Sequence, residues 1–295
     1  MLWHLAPPLP SQLDAAVPQP TFRQTVIHQT VIHQTTAAFY AVVFVVAIPH
    51  FAIAQSPATD SVQATATAAL NHSKLADDLP AEVLPYVDAA KKKWESAIAD
   101  WEQKDQTTVD PKDAILLIGS SSIRRWDTAA SDLSPYEVIG RGYGGAKFTD
   151  LAVFAKRLIQ PHQYKAVVIF VANDITGGDK DRPQDVVQAC VKHVVNVAQA
   201  HSPNSPVFLI EVTPTSSRRK GWPKVRQLNS WLREYSLTTA NVSFIATAEW
   251  YLDDKDEVRD EYFVQDKLHL NRKGYAVWGS LIKRELDRVL RARQQ

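Results

Sequence analysis

The chain of 295 residues contains one cysteine, Cys190, and one methionine, Met1. A lone cysteine excludes an internal disulfide, and its place in an apolar helical pattern predicts a small buried side chain, not a reactive thiol. No cysteine and histidine cluster has the spacing of a structural zinc site, so no metal is expected. Charge of either sign is also lacking in excess. The formal net charge is +1, which removes the electrostatic argument for nucleic acid or an anionic membrane as partner. Long hydrophobic runs are missing too: Ala37 to Ile48 (AAFYAVVFVVAI) falls short of the about 20 residues that a bilayer-spanning helix needs.

That apolar run lies in an N-terminal stretch of distinct composition. Residues 1–36 are rich in Pro, Gln and Thr and carry a short duplication, TVIHQTVIHQT. The run is followed by Ala52-Ile53-Ala54 before Gln55, the small-x-small pattern of a secretory cleavage site. Residues 1–54 are therefore read as a signal region and disordered leader, with Arg23 as the firm positive charge before the run. The expectation is export, to the periplasm or outside the cell, with no stable membrane span after processing. With no cysteine at the cleavage site, a lipoprotein is not expected. Residues 55–80, rich in Ala, Thr, Ser and Asp, read as a linker.

From Ala81 onward the pattern changes. Val83, Leu84, Val87, Ala90, Trp94, Ile98 and Trp101 recur at three- and four-residue steps and predict a helix to about Gln106, ended by Pro111. Five short β-branched runs follow, at 114–118, 136–139, 166–171, 206–212 and 242–246. Helical patterns lie near 147–159, 184–200, 222–237 and 274–292. Strands apolar at every position, separated by amphipathic helices, imply a parallel sheet covered on both faces. The fold class expected for 81–293 is α/β, a three-layer α/β/α sandwich with a five-stranded parallel sheet. Ligands in such sheets sit at the carboxyl ends of the strands.

Four segments fall at that edge or just before the last helix. The first strand runs into Gly119 and three serines, Ser120 to Ser122. Serine clusters are ordinarily turn or N-cap chemistry, and a serine nucleophile needs a histidine that is held by a carboxylate. Asp266 and His269 lie three residues apart, so that one helical turn would bring both to the same side. His72, His162, His193 and His201 have no carboxylate at comparable spacing. Backbone donors for an oxyanion are offered by Gly144-Gly145 after the second strand, and a side-chain amide by Asn173 after the third.

In this arrangement the chain resembles the SGNH (GDSL-type) hydrolases, named for Ser, Gly, Asn and His in four sequence blocks. The blocks are Ile118-Gly119-Ser120-Ser121-Ser122-Ile123, Arg141-Gly142-Tyr143-Gly144-Gly145, Val171-Ala172-Asn173-Asp174 and Asp266-Lys267-Leu268-His269. The wording is similar to the bacterial subgroup that resembles platelet-activating-factor acetylhydrolase, over about 85–290. The resemblance implies a flavodoxin-like fold, Ser121 as nucleophile, His269 as base and Asp266 as its orienting carboxylate. It also implies an oxyanion hole from the Ser121 N–H, the Gly145 N–H and the Asn173 amide, with no cofactor. Ser120 stands where the family name expects Asp, and Val171-Ala172 replace the usual Gly-x before Asn. A valine resists positive φ, so a slightly different loop path is expected there.

The function expected is hydrolysis of short-chain esters, acetyl foremost, on a small molecule or glycan. Trp222 and Arg226, in the segment after the fourth strand, are the candidate substrate-binding residues. The cationic cluster they belong to (Arg218, Arg219, Lys220, Lys224, Arg226) reads mostly as solvated surface. Two other classes compete. A non-catalytic carbohydrate-binding protein on the same fold is opposed by the intact Ser121, His269 and Asp266. A nucleotide- or flavin-binding domain wants a glycine-rich fingerprint after the first strand, where Gly119 stands alone.

Overall fold

The computed structural model describes residues 79–293. The expectations for the leader at 1–54 and for nearly all of the linker at 55–80 lie outside the described residues.

Among the described residues five strands form one parallel sheet: β1 (Ile115–Gly119), β2 (Val138–Gly142), β3 (Ala166–Phe170), β4 (Val207–Ile210) and β5 (Val242–Ile245). Their order is β2-β1-β3-β4-β5, the flavodoxin-like order of a doubly wound sheet. All five residues of β1 and of β3 are buried, as strands covered on both faces must be. β2 begins two residues later than the apolar pattern predicts, because the turn from Leu133 to Tyr136 precedes it.

Among the described residues seven α-helices surround the sheet: α1 (Val87–Asp105), α2 (Ser121–Arg124), α3 (Ala129–Asp132), α4 (Phe148–Ile159), α5 (Gln184–His201), α6 (Trp222–Thr238) and α7 (Arg272–Ala292). Alternation along the strands divides the core in two. Leu116, Ile118, Val167, Ile169, Val207 and Leu209 face α1, α4, α5 and α6. Ile115, Leu117, Val168, Phe170, Phe208 and Ile210 face α2, α3 and α7. Burying each such side chain contributes about 1.5–3 kcal/mol, so the sheet is held from both sides.

The five long helices follow the apolar periods of the sequence, whereas the one-turn helices α2 and α3 carry no such period. In α5, Val187, Cys190, Val191, Val194 and Ala198 are buried at three- and four-residue steps. Cys190 is fully buried, as its sequence context predicts; that burial, with the charge of Asp174, pushes its thiol up to about 12. α7 is capped by Asn271, whose side chain accepts the Gly274 N–H at 3.0 Å. No helix among the described residues is long and apolar enough to cross a membrane.

The strand order reverses at β1. The chain leaves β1 for β2 on one side and then crosses to β3 on the other, so the carboxyl ends of β1 and β3 open a crevice between them. The loops after those two strands carry Ser120 to Ser122 and Asn173.

Candidate active site

Gly119 ends β1 with φ +146°, and a Cβ on it would lie 1.9 Å from the Phe170 carbonyl oxygen. Only glycine fits this close approach, and through it the chain leaves the sheet sharply. Ser120 is buried; its N–H donates to the Phe170 carbonyl at 3.0 Å and its carbonyl accepts from Ile123 and Arg124. The Ser122 carbonyl accepts the Tyr275 hydroxyl at 2.8 Å. Between them Ser121 starts α2 and turns its hydroxyl to His269, with 2.9 Å between Oγ and Nε2.

The other ring nitrogen, Nδ1, lies 2.7 Å from Asp266 Oδ2. Asp266 Oδ1 accepts the backbone N–H groups of Leu268 and His269, each at 2.9 Å. Burial alone would raise the Asp266 pKa, but the histidine and these two N–H donors hold it at about 2. The carboxylate therefore stays ionised and selects the Nδ1–H tautomer, which leaves Nε2 as an acceptor for the serine proton. The helical turn expected for Asp266–His269 is not what joins them. They lie in a tight loop in which Lys267 has φ +53°. Val264 N–H donates to the His269 carbonyl and Lys267 N–H to the Val264 carbonyl, and Phe263 bridges Leu270. Aspartate side-chain bonding to its own following amides closes such a turn.

Asn173 follows β3. Its Nδ2 donates to the Ala146 carbonyl at 2.8 Å. Its Oδ1 accepts from Arg218 Nη2 at 2.6 Å, and Arg218 Nη1 donates to the Ala172 carbonyl at 2.6 Å. Val171 and Ala172 take no positive φ, which is how the loop accommodates them. Asp174, next in the chain, is buried and accepts the Phe148 N–H through both oxygens, at 3.0 and 2.9 Å. Burial pushes its pKa up to about 7, against the pull of that N–H, Lys147 and Arg182.

Ser121, Asn173 and His269 line one cavity with about 580 Å³ of empty space, part of it open to solvent. Its apolar wall includes Phe170, Ile175, Val212, Val225 and Phe263, and Trp222 and Arg218 complete it. Trp222 also lines a neighbouring groove. Arg226 lines that groove and not the cavity, because it lies on the same helix face one turn beyond Trp222, farther from the cavity and exposed. Gly145 sits in the turn after β2 with φ +75°, exposed, with Trp94 3.9 Å from the position of an added Cβ. It is not among the residues that line the cavity; its neighbour Ala146 is what meets Asn173.

Arg218 departs from the reading of its cluster as solvated surface: Arg219 and Lys220 are exposed, but Arg218 is drawn into the cavity wall. Its signal in the sequence was its place at the carboxyl edge of β4. His162, which has no carboxylate at close spacing, finds two at long range. It is buried, with Nδ1 3.0 Å from Asp110 and Nε2 3.4 Å from Asp105. Asp105 also pairs with Arg141. Asp110 lies 52 residues away in sequence and Asp105 lies 57 away, so spacing could not reveal them. This cluster joins the end of α1 and the connections entering β1 and β3 to Arg141 of β2, and none of its members lines the cavity. Among the described residues no group of three or more His, Cys, Asp or Glu is placed to hold a metal ion.

The pattern of the GDSL-like lipase/acylhydrolase family matches residues 118–277, which takes in Ser121, Asn173, Asp266 and His269. No curated protein matches the chain. Among solved structures, a provisionally named platelet activating factor from Streptococcus pneumonia is similar at 18% identity and TM-score 0.60, over 68% of this chain and 95% of that one. A provisionally named acylhydrolase from Bacteroides fragilis is similar at 22% identity and TM-score 0.57, over 64% and 94%. A GDSL-like lipase from Bacteroides thetaiotaomicron reaches 17% and 0.57, over 65% and 98%. At these identities the structural likeness establishes the shared fold.

Proposed function

The chain belongs to the GDSL-like lipase/acylhydrolase family, a family of carboxylic ester hydrolases, and on that premise we propose that it is a serine esterase selective for short acyl groups, acetyl foremost. The observation that carries this reading is the continuous hydrogen-bonded line from Ser121 Oγ through His269 to Asp266, at 2.9 and 2.7 Å, opening on the cavity.

In the proposed reaction Ser121 Oγ attacks the ester carbonyl while His269 Nε2 takes its proton. The negative charge that develops on the carbonyl oxygen is met by the Ser121 N–H and the Asn173 amide; the Gly145 N–H is the third donor that the family resemblance implies, although Gly145 lies outside the cavity lining. The tetrahedral adduct collapses as His269 returns the proton to the leaving alcohol. Water, deprotonated by the same nitrogen, then releases the acid and restores Ser121. Asp266 holds the imidazole in the Nδ1–H tautomer and faces the positive charge that His269 gains.

The apolar wall of Phe170, Ile175, Val212 and Val225 suits a small acyl group. Trp222, shared by the cavity and the outer groove, supports a glycan as the alcohol side, since an indole face stacks on a sugar ring. Arg226 lies along the same groove and would meet the more distant part of such a substrate. Export through the leader at residues 1–54 belongs to the same proposal and rests on Ala52-Ile53-Ala54.

The test is hydrolysis of p-nitrophenyl acetate, butyrate and octanoate by the full chain and its Ser121→Ala variant. Turnover that falls with acyl length and drops by orders of magnitude, about 10³ or more, in the variant is the expected result. Equal turnover by the variant would remove Ser121 from the mechanism. A folded protein inert on every ester, yet retaining binding to acetylated glycans, would instead favour a carbohydrate-binding role.

A further inference from the structure

Asn173 carries an amide whose two ends have nearly the same shape and opposite hydrogen-bonding character. As an oxyanion donor it works in one of its two orientations only. The contacts around it select that orientation. The Ala146 carbonyl takes one Nδ2 hydrogen at 2.8 Å, and Arg218 Nη2 donates to Oδ1 at 2.6 Å. A flipped amide would set its oxygen against the Ala146 carbonyl and its NH₂ against the guanidinium, losing both bonds and replacing them with two repulsions. In the observed orientation the second Nδ2 hydrogen is left for the cavity that Asn173 lines.

We propose that Arg218 is a positioning residue for this reaction: its guanidinium clamps Ala172 and Asn173 and so aims the Asn173 amide at the developing oxyanion. The proposal rests on the serine esterase reading above. The two bonds come from one rigid, planar fork, a geometry that a lysine cannot reproduce. They grip Ala172 and Asn173, directly after Val171, which stands where the family ordinarily has glycine. A cation on Oδ1 also draws electron density from the amide and makes its N–H groups better donors.

The segment that carries Arg218 is built to hold it. The 3₁₀ turn Ser216–Gly221 breaks its helical backbone at Arg218, with φ −121° and ψ 21°. Gly221 meets Gly177 of the loop after β3 backbone to backbone: a Cβ on Gly221 would lie 2.7 Å from the Gly177 nitrogen. On its other side the turn touches the histidine loop, where Ser217 N–H donates to the Lys267 carbonyl at 3.3 Å. Ser216 Oγ and Lys267 Nζ also share Asp260, at 2.6 and 2.8 Å. One short turn thus connects the Asn173 loop to the loop of Asp266 and His269. Burial lowers the Arg218 pKa from its usual value, while the charges of Asp181 and Asp174 act against that from a distance.

The experiment is a double-mutant cycle on the full chain, with Arg218→Met, Asn173→Ala and both together, read as kcat and KM on p-nitrophenyl acetate. Asn173→Ala should lower kcat about 10²–10³-fold. Arg218→Met should lower kcat by about a hundredfold, with KM nearly unchanged, since a misaimed donor costs rate and not ground-state binding. In the double variant the Arg218 change should add less than about a factor of two, because it acts through a side chain already removed. Arg218→Lys should recover only part of the rate, and it carries the same comparison if Arg218→Met does not fold. Losses that multiply, or a rise in KM with kcat intact, would overturn the proposal and make Arg218 a direct substrate contact. An unchanged kcat in Arg218→Met would overturn it outright. A wild-type protein inert on all esters would overturn the esterase reading as well, whereas an active wild type with multiplying losses sinks the Arg218 assignment alone.

Discussion

Three adjacent serines present three identical hydroxyls, and their backbone surroundings separate them. Ser120 is buried in the turn out of β1, the Ser122 carbonyl is tied to Tyr275, and Ser121 Oγ meets the imidazole. Asp266 is similarly divided, one oxygen for two backbone N–H groups and the other for His269 Nδ1. Asp266→Asn keeps the first set of bonds and inverts the second, because an amide NH₂ facing Nδ1 favours the tautomer with its proton on Nε2. Nε2 then donates to Ser121 instead of accepting from it. We expect kcat to fall by about 10²–10⁴ with little change in thermal midpoint; steady-state kinetics beside a melting curve checks both. The depressed Asp266 pKa, about 2, also has a direction in stability. It is a contribution fully present above the ordinary carboxylate range and lost as pH falls through 2. With its side chain 44% exposed, solvent screens most of it.

At the scale of elements, the loop after β3 is tied to the start of α4 twice, through Asn173 to Ala146 and through Asp174 to Phe148. Asp174 is the costly member of this pair. Its folded pKa is raised to about 7 by burial, so the native state binds the proton more tightly than the unfolded chain does. Stability is then greatest below the ordinary carboxylate pKa and declines as pH rises from about 4 to about 7. Asp174→Asn retains an acceptor for the Phe148 N–H and removes the titration. The variant should lose less thermal stability than the wild type between pH 5 and pH 8. Melting midpoints at the two pH values decide it, and parallel declines in the two proteins would contradict the assignment. The same scale shows where periodicity misleads. A three-residue spacing such as Asp266 to His269 fits a helical turn, but the Phe263–Leu270 bridge holds that segment as a loop, and the carboxylate itself closes it.

For the molecule as a whole, the sheet is clamped between two half-cores, and the residue that joins the site to one of them is Trp278. It is fully buried on α7, with Phe170 of β3 at 4.9 Å edge-on and Trp126, just beyond α2, at 5.1 Å. Trp278→Ala should cost about 3–5 kcal/mol through lost burial and the cavity left behind. The check is the denaturant midpoint at unchanged slope, and a cost below about 1 kcal/mol would mean that α7 is not a principal support of the sheet.

Read alone, the sequence determined the succession of the five strands and the five long helices, the parallel sheet, and the segments that gather at its carboxyl edge. Hydrophobic period and local spacing are short-range properties, and in an α/β chain they decide which face of each element is buried. They do not carry distances between elements. That Ser121 of the three hydroxyls reaches His269, 148 residues away, is a matter of tertiary register. So is the inward turn of Arg218 onto Asn173, 45 residues away, while Arg226 of the same cluster turns out. His162 finds Asp110 across 52 residues for the same reason. A charge in a sequence does not say whether it will meet water or a buried carbonyl; only the packing of one loop on another decides that.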